Sequence, residues 1–349
     1  MSVPRVAILA HGNPESIEAV RARGLSQGYP PDQVHLLFRE GTRRATATAW
    51  RRRIKELDPG LVYVINTALP GCPLAVSWKL ARGLPFILDT GDAVYEMARS
   101  AGTAPWWNLP LLRLGEWLSH KLARTIVVRG TRHAEFLRSQ GRASVALIRD
   151  GCHSGGPPDQ GAVAGLRERL GLGKDFVVGV MGSLVYSPRL GICYGWDLIQ
   201  ALARLRDLPV RALVIGDGNG RAWLEAQAQA RGVADRVSFC GRIPYAEVPL
   251  HLELCDVALS TQTNNLAGQV RTTGKLPEYM GAGRFILASR VGEAALVLPE
   301  SMLLDYHGEV DTAYPQRLAD RVRELHRNPS LLELRRELPR KAGELFSYG

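Results

Sequence analysis

The stretch "GKLPEYMGAGRFILAS" (274–289) reads as a short helix that ends in glycines and runs straight into an apolar strand. Helix, glycine turn and buried strand in succession are half of a crossover unit. Such units build parallel sheets covered by helices. The stretch also poses a chemical question. Lys275 and Glu278 stand three residues apart on a helix otherwise made of small and apolar residues.

Working outward, short β-branched runs alternate with longer amphipathic stretches along all 349 residues. In the first half "RVAILA", "QVHLLF", "LVYVIN", "PFILDT", "TIVVRG" and "SVALIRDG" are strand candidates, separated by helical segments such as "SIEAVRARGLSQG" and "PLAVSWKLARG". Near Cys152 the texture changes, and "GCHSGGPPDQGAVAG" reads as a Gly/Pro-rich linker. A second series follows with "DFVVGVMGS", "VRALVIGDG", "RVSFCG", "CDVALST" and "RFILAS". The pattern predicts an α/β protein of two Rossmann-like, doubly wound domains, residues 1–155 and 156–349, joined by a hinge. Ligands of such sheets bind outside the carboxyl ends of the strands, so the loops there are the candidate sites.

Composition narrows the classes. Hydrophobic residues at 46% and charged residues at 22% specify a packed core and argue against disorder. Five scattered cysteines without a CxxC pair suggest neither a zinc site nor a disulfide framework; buried thiols in a reducing compartment fit better. The opening "MSVPRVAILAHGN" is too short for a signal sequence's apolar region, and no run of about 18 apolar residues occurs. A cytoplasmic protein is expected. The net charge of +10 is uneven: residues 1–160 hold 21 Lys and Arg against 13 Asp and Glu, the remainder 23 against 21. A basic first half suits an anionic acceptor or a peripheral contact with an anionic membrane, with plain solvation of helix surfaces as the alternative. Arg51–Arg53 lacks the interleaved aromatics of a nucleic-acid platform, so no nucleic-acid partner is expected.

Several loops carry chemistry. Gly12 in "AHGNPES" either lets backbone approach a phosphate or makes a tight turn, with Asn13 or Ser16 as helix cap. "DTGD" puts Asp89 and Asp92 at a strand's carboxyl end, where they could bind metal, act as a base or hold sugar hydroxyls; Asp92 could also cap the following helix. Trp106 and Trp107 in "APWWNLP" suit stacking on sugar or lipid, or a satellite apolar cluster. In the second half Gly182 opens a loop onto a helix start, with Arg189 as a nearby charge. Gly216, Gly218 and Gly220 precede the next helix, and Gly241–Arg242–Ile243 offers backbone to a flat base edge.

These segments, in this order, resemble family 4 glycosyltransferases of the GT-B fold, most strongly over residues 176–300. The resemblance rests on "GSLVYSPRLGICYGWDLIQAL", on the run from "VIGDGNGRAWLEAQA" to "CDVALS", and on "GKLPEYMGAGRFILAS". It implies two Rossmann-like domains about a central cleft, with a nucleotide-sugar bound mostly by the second. Glu278 would take the ribose hydroxyls, Arg242 and Ile243 the base, and Gly182 with Ser183 and Gly216 the diphosphate. Lys275 would face the diphosphate from the same helix face as Glu278, which answers the chemical question above.

The chain departs from the family pattern at several points. Val270 stands where a first glutamate is common, and Ser183 and Tyr194 stand where basic residues are common. Arg271, Lys275 and Arg189 are the candidates to replace that charge. Gly91 falls where many members carry a histidine, and the chain stops at "LFSYG", short of the helix that usually crosses back. The resemblance implies a retaining hexosyltransferase using a UDP or GDP sugar, without cofactor or essential metal. Attack would come from the front face, with Asp89 or Asp92 orienting the acceptor hydroxyl. An epimerase of the same fold and an inactive binding or chaperone protein are the alternatives.

Overall fold

The computed structural model describes residues 4–142, 144–152 and 156–347. The first domain is one parallel sheet of β1 (Val6–Ala10), β2 (Val34–Leu37), β3 (Leu61–Ile65), β4 (Phe86–Thr90), β5 (Thr125–Val128) and β6 (Val145–Leu147). Its order is β2-β1-β3-β4-β5-β6. The second holds β7 (Phe176–Met181), a hairpin of β8 (Tyr186–Ser187) and β9 (Ile192–Cys193), then β10 (Val210–Ile215), β11 (Val237–Gly241), β12 (Val257–Ser260), β13 (Phe285–Ser289) and β14 (Leu303–Leu304). Its parallel sheet runs β11-β10-β7-β12-β13-β14. Both are doubly wound, as the alternating runs predict. All eleven strand candidates are strands; the hairpin and β14, two residues per strand, were too short to show a pattern.

Helices bury both faces of each sheet, which is why the strands read as unbroken apolar runs. In the first domain Leu9, Val62, Val64 and Leu88 pack under Trp50, Ile54, Leu74 and Trp78, while Ile8, Tyr63 and Ile65 face Ala22 on the other side. The larger second core centres on Val178, Val180, Leu213, Leu259, Tyr279 and Leu287. The linker reading needs one correction. "GAVAG" lies inside the helix Gln160–Arg169, because Asp159 caps it, its Oδ2 accepting from Ala162 N at 2.7 Å. Within that linker, residues 153–155 lie outside the described residues. Among the described residues no helix is long and apolar enough to cross a membrane.

The domains meet along the carboxyl ends of their strands. Ends of two first-domain helices are each gripped by an opposite charge from the second domain. Glu293 accepts from Thr131 N at 2.6 Å, at the positive start of helix Thr131–Ser139, and from Arg149 Nε at 3.0 Å. Arg189 donates to Ser100 O at the negative end of helix Val94–Ala101, and Ser187 Oγ donates to Ala101 O at 2.7 Å. These contacts hold one lip of the interdomain cleft closed.

Candidate functional site

Three adjacent strands of the second sheet end in glycines that touch through backbone. Gly182 N donates to Ile215 O at 2.9 Å, and Gly216 N donates to Gly241 O at 2.8 Å. Glycine is required at Gly216: its φ is +139°, and a Cβ there would lie 1.9 Å from Gly182 O. The result is a side-chain-free floor of backbone at the carboxyl ends of β7, β10 and β11. Phosphate oxygens can approach such a floor closely.

The helix Lys275–Gly281 stands over this floor. Its Glu278 is buried and accepts from Tyr245 Oη at 2.6 Å. Tyr279 Oη accepts from Met181 N at 2.8 Å and ties the helix to the end of β7. Lys275 Nζ lies 3.5 Å from the Tyr194 ring centroid and 3.2 Å from where a Gly182 Cβ would be. Lys275 and Gly182 are thus neighbours, and the lysine shows no carboxylate partner among the described residues. Burial, and then the charge of Arg271, push its ammonium well below the ordinary lysine range. A cation in that state is poised to gain from an arriving anion.

Arg242 is exposed and Ile243 half-buried beside this floor, and Ser183 is exposed next to Gly182. Arg271 lies just ahead of the helix, and its Nε is 3.2 Å from Asp92 Oδ1 of the first domain. Thr272 N donates to Gly91 O at 3.2 Å, and Thr272 Oγ1 is buried without a hydrogen-bond partner among the described residues. The "DTGD" loop therefore docks onto the segment that carries Arg271 and Lys275. It does not cap the next helix. That duty falls to Glu116, which accepts from Val94 N at 2.7 Å and Tyr95 N at 3.2 Å.

Three expectations change. Asp89 cannot reach an acceptor or a metal in this arrangement: it is fully buried, with Oδ2 accepting from Arg21 Nε and Tyr63 Oη at 2.7 Å each and Oδ1 from Arg129 Nε at 3.2 Å. It anchors a network with Arg21 and Asp150 that braces the strand ends beneath the cleft. Arg189 does not supply charge to the phosphate loop, because it pairs with Glu309, whose carboxyl Arg189 and Asn265 pull down to about 2. Gly12 is explained by the helix beside it: a Cβ would fall 1.9 Å from Ser16 Oγ, the side chain that caps helix Ile17–Ser26. The tight turn is the reading that the packing supports.

Sequence reasoning missed Tyr245, the partner of Glu278, and read Tyr194 only as a missing charge rather than as the platform under Lys275. It also missed His11 at the end of β1. His11 Nε2 accepts from Gly71 N at 3.1 Å, which puts the ring proton on Nδ1, facing Ile65 O at 2.6 Å. Burial lowers its pKa, so the ring is a neutral brace.

Comparison with known proteins fits this geometry. Residues 175–328 match the family model described as "Glycosyl transferases group 1". A 2-deoxystreptamine glucosyltransferase of Streptomyces kanamyceticus is 33% identical over 132 residues, covering 36% of this chain and 31% of that protein. A GDP-mannose-dependent alpha-(1-6)-phosphatidylinositol monomannoside mannosyltransferase of Mycolicibacterium smegmatis is 37% identical over 150 residues, 42% of this chain and 37% of that one. The chain thus spans well under half the length of these curated relatives. Among solved structures, Anabaena HepE in complex with UDP and glucose superposes with a TM-score of 0.76 at 18% identity, covering 99% of this chain and 96% of that one. Sucrose-phosphate synthase from Thermosynechococcus elongatus gives 0.74 at 16% identity, with 99% and 95% covered. The architecture is the GT-B fold.

Proposed function

We propose that this chain, a family 4-type glycosyltransferase by its second domain, moves a hexose from a nucleoside diphosphate sugar to a hydroxyl acceptor. The observation that carries the reading is Lys275 lying against Gly182 of a glycine floor at three strand ends, with Glu278 one turn further along the same helix. Glu278 takes the ribose hydroxyls and Arg242 with Ile243 lies along the base. Gly182 and Gly216, lacking side chains, let the diphosphate come close, Ser183 offers it main chain, and Lys275 neutralises it together with Arg271, which is shared with Asp92. Charge grows on that diphosphate as the glycosidic bond breaks, so cations already in place lower the barrier.

The donor base is uridine or guanosine; HepE is complexed with UDP, and the mycobacterial relative is named for GDP-mannose. Transfer is with retention, by front-face attack, and Asp92 supplies the acceptor-side carboxylate while holding Arg271. The acceptor is anionic or lipid-linked, which suits the basic first domain, and the protein works in the cytoplasm at or near a membrane. Neither cofactor nor metal takes part, so turnover persists in EDTA; loss restored by magnesium or manganese would contradict this.

Calorimetric titration with UDP and GDP, then product analysis with the matching sugars, tests the reading. Glu278→Ala is expected to weaken nucleoside diphosphate binding roughly ten- to hundredfold, from about 1.5–3 kcal/mol for a charge-assisted hydrogen bond. Equal binding by parent and variant refutes the ribose assignment. Binding without turnover of any donor favours the inactive reading, to which the apolar Val270 points. A changed sugar with no acceptor favours epimerisation.

A further inference from the structure

Helices Arg43–Leu57, Gly71–Arg82 and Leu109–Leu122 lie side by side over one face of the first sheet. Their inner sides share one core through Trp50, Ile54, Leu74, Trp78, Leu118 and Leu122. The outer side of the same layer carries two features that donor chemistry does not use.

One flank is aromatic. Among the described residues, five of the fifteen exposed large apolar side chains fall within residues 106–117, with Trp106 82% and Trp107 61% exposed, joined by Leu111, Leu114 and Trp117. Trp106, Leu114 and Trp117 line an open groove of about 420 Å³ that also takes in Tyr95, Leu109 and Arg113. Cations fringe it: Arg113 lies 5.7 Å from the Tyr95 ring centroid and Lys121 Nζ 4.9 Å from that of Trp117. A solitary exposed leucine needs no explanation, but a contiguous aromatic patch does.

The other flank is cationic. Helix Arg43–Leu57 exposes Arg43, Arg44, Arg51, Arg52, Arg53 and Lys55 against the single acid Glu56. Two of these arginines occupy its first turn, where they oppose the helix dipole and no acid offsets them. The middle helix adds exposed Leu80 and Arg82 between the flanks. Helix axes pack about 8–10 Å apart, so the two flanks lie roughly 20 Å from one another on one face.

We propose that this three-helix layer docks flat on an anionic lipid bilayer. Tryptophan prefers the headgroup level, leucine the acyl boundary beneath it, and arginine and lysine the anionic headgroups above. One face presents all three. A second copy of the chain fits less well, because a two-fold contact on this face either sets the arginines of both copies together or covers them with an aromatic flank that offers no acid. The proposal deepens the acceptor reading above and rests on it only in placing the acceptor at the membrane.

The test uses the full chain and vesicles of phosphatidylcholine alone or mixed with phosphatidylglycerol, in flotation across a salt series. Binding is expected to the anionic vesicles only and to weaken with salt. Arg51→Gln/Arg52→Gln/Arg53→Gln should bind about a hundredfold more weakly at low salt, from roughly fivefold per basic residue. Trp106→Ser/Trp107→Ser should lose binding while its Tm stays unchanged, since both side chains are exposed. Equal binding to both vesicle types, parental binding by the tryptophan variant, or a dimer that this variant dissolves in the absence of vesicle binding would each overturn the proposal. UDP and GDP affinities are read in parallel. Failure of the parent to bind either nucleotide counts against the glycosyltransferase reading and leaves the vesicle result standing.

Discussion

Lys275→Met is expected to weaken UDP or GDP binding about 30- to 1,000-fold. Two unit charges about 4 Å apart at an effective dielectric near 20 interact by about 4 kcal/mol, and loss of part of that gives about 2–4 kcal/mol. The wild-type lysine should also make binding pH-dependent in a diagnostic way. Burial and Arg271 hold its ammonium well below 10.5 in the empty site. A diphosphate would raise it again. Between the depressed value and 10.5 the complex therefore takes up a proton, and affinity falls by up to tenfold per pH unit. Stability of the empty protein runs the other way. The unfolded chain keeps that proton up to 10.5, so the lysine's contribution to folding improves as pH rises through the same window. Calorimetry above pH 7.5, clear of phosphate ionisation near 6, in two buffers of different ionisation enthalpy, reads the proton uptake directly. Lys275→Met should abolish the uptake and leave Tm equal or higher. Buffer-independent enthalpy in the parent, with pH-independent affinity, would refute a depressed lysine facing the diphosphate.

Asp89→Ala should cost about 3–5 kcal/mol of stability, since it leaves the buried pair Arg21 and Arg129 with Asp150 as their one remaining shared carboxylate; a variant with parental Tm and lost turnover would return Asp89 to the acceptor site. His120 is half-buried and His133 buried, and desolvation lowers the pKa of each to about 4 from 6.5. The unfolded state then binds more protons between pH 6.5 and 4, so stability falls as pH drops through that window, by up to about 3 kcal/mol for each and less than twice that for the interacting pair. His133→Leu should flatten the acid limb in urea melts taken from pH 7 to 4; an unchanged limb would show that the histidine titrates normally.

The strands were legible because burial on both faces leaves a continuous apolar run, a local signal. Lys275 and Glu278 were legible for a related reason: charge on an otherwise apolar helix needs a partner or a ligand. What the sequence hid was direction and distance. Asp89 and Asp92 are three residues apart and look equivalent as letters. Strand alternation turns Asp89 inward onto Arg21, 68 residues away, while Asp92 leaves the strand and meets Arg271 of the other domain. Arg189 looked like a phosphate-loop cation because its neighbours in sequence are that loop. Its partners, Ser100 and Glu309, belong to segments that no local window connects. The helix caps at Asp159 and Ser16 follow local rules, whereas the Glu116 cap comes from another helix 22 residues on, beyond those rules.

Ser183, Tyr194 and Lys275 make sense only together. The resemblance places basic residues at 183 and 194, yet the structure brings one lysine from the far side of the floor and lays it on the Tyr194 ring. An aromatic face carries no countercharge, so Lys275 is held near Gly182 unpaired with any acid, placed to take up a proton as an anionic ligand arrives. Tyr194 Oη donates to Leu259 O at 3.3 Å, which fixes the ring in place. A cation restored at position 194 would therefore stand beside an ammonium already disfavoured by burial and by Arg271. Tyr194→Lys alone is expected to weaken nucleoside diphosphate binding, through like-charge repulsion and loss of the platform. Combined with Lys275→Met, the same substitution should recover part of the affinity that Lys275→Met loses. Calorimetry on the two single variants and the double variant gives the coupling directly. Additive losses would mean that Tyr194 and Lys275 act independently, and that the charge moved from loop to helix without the ring having a part in it.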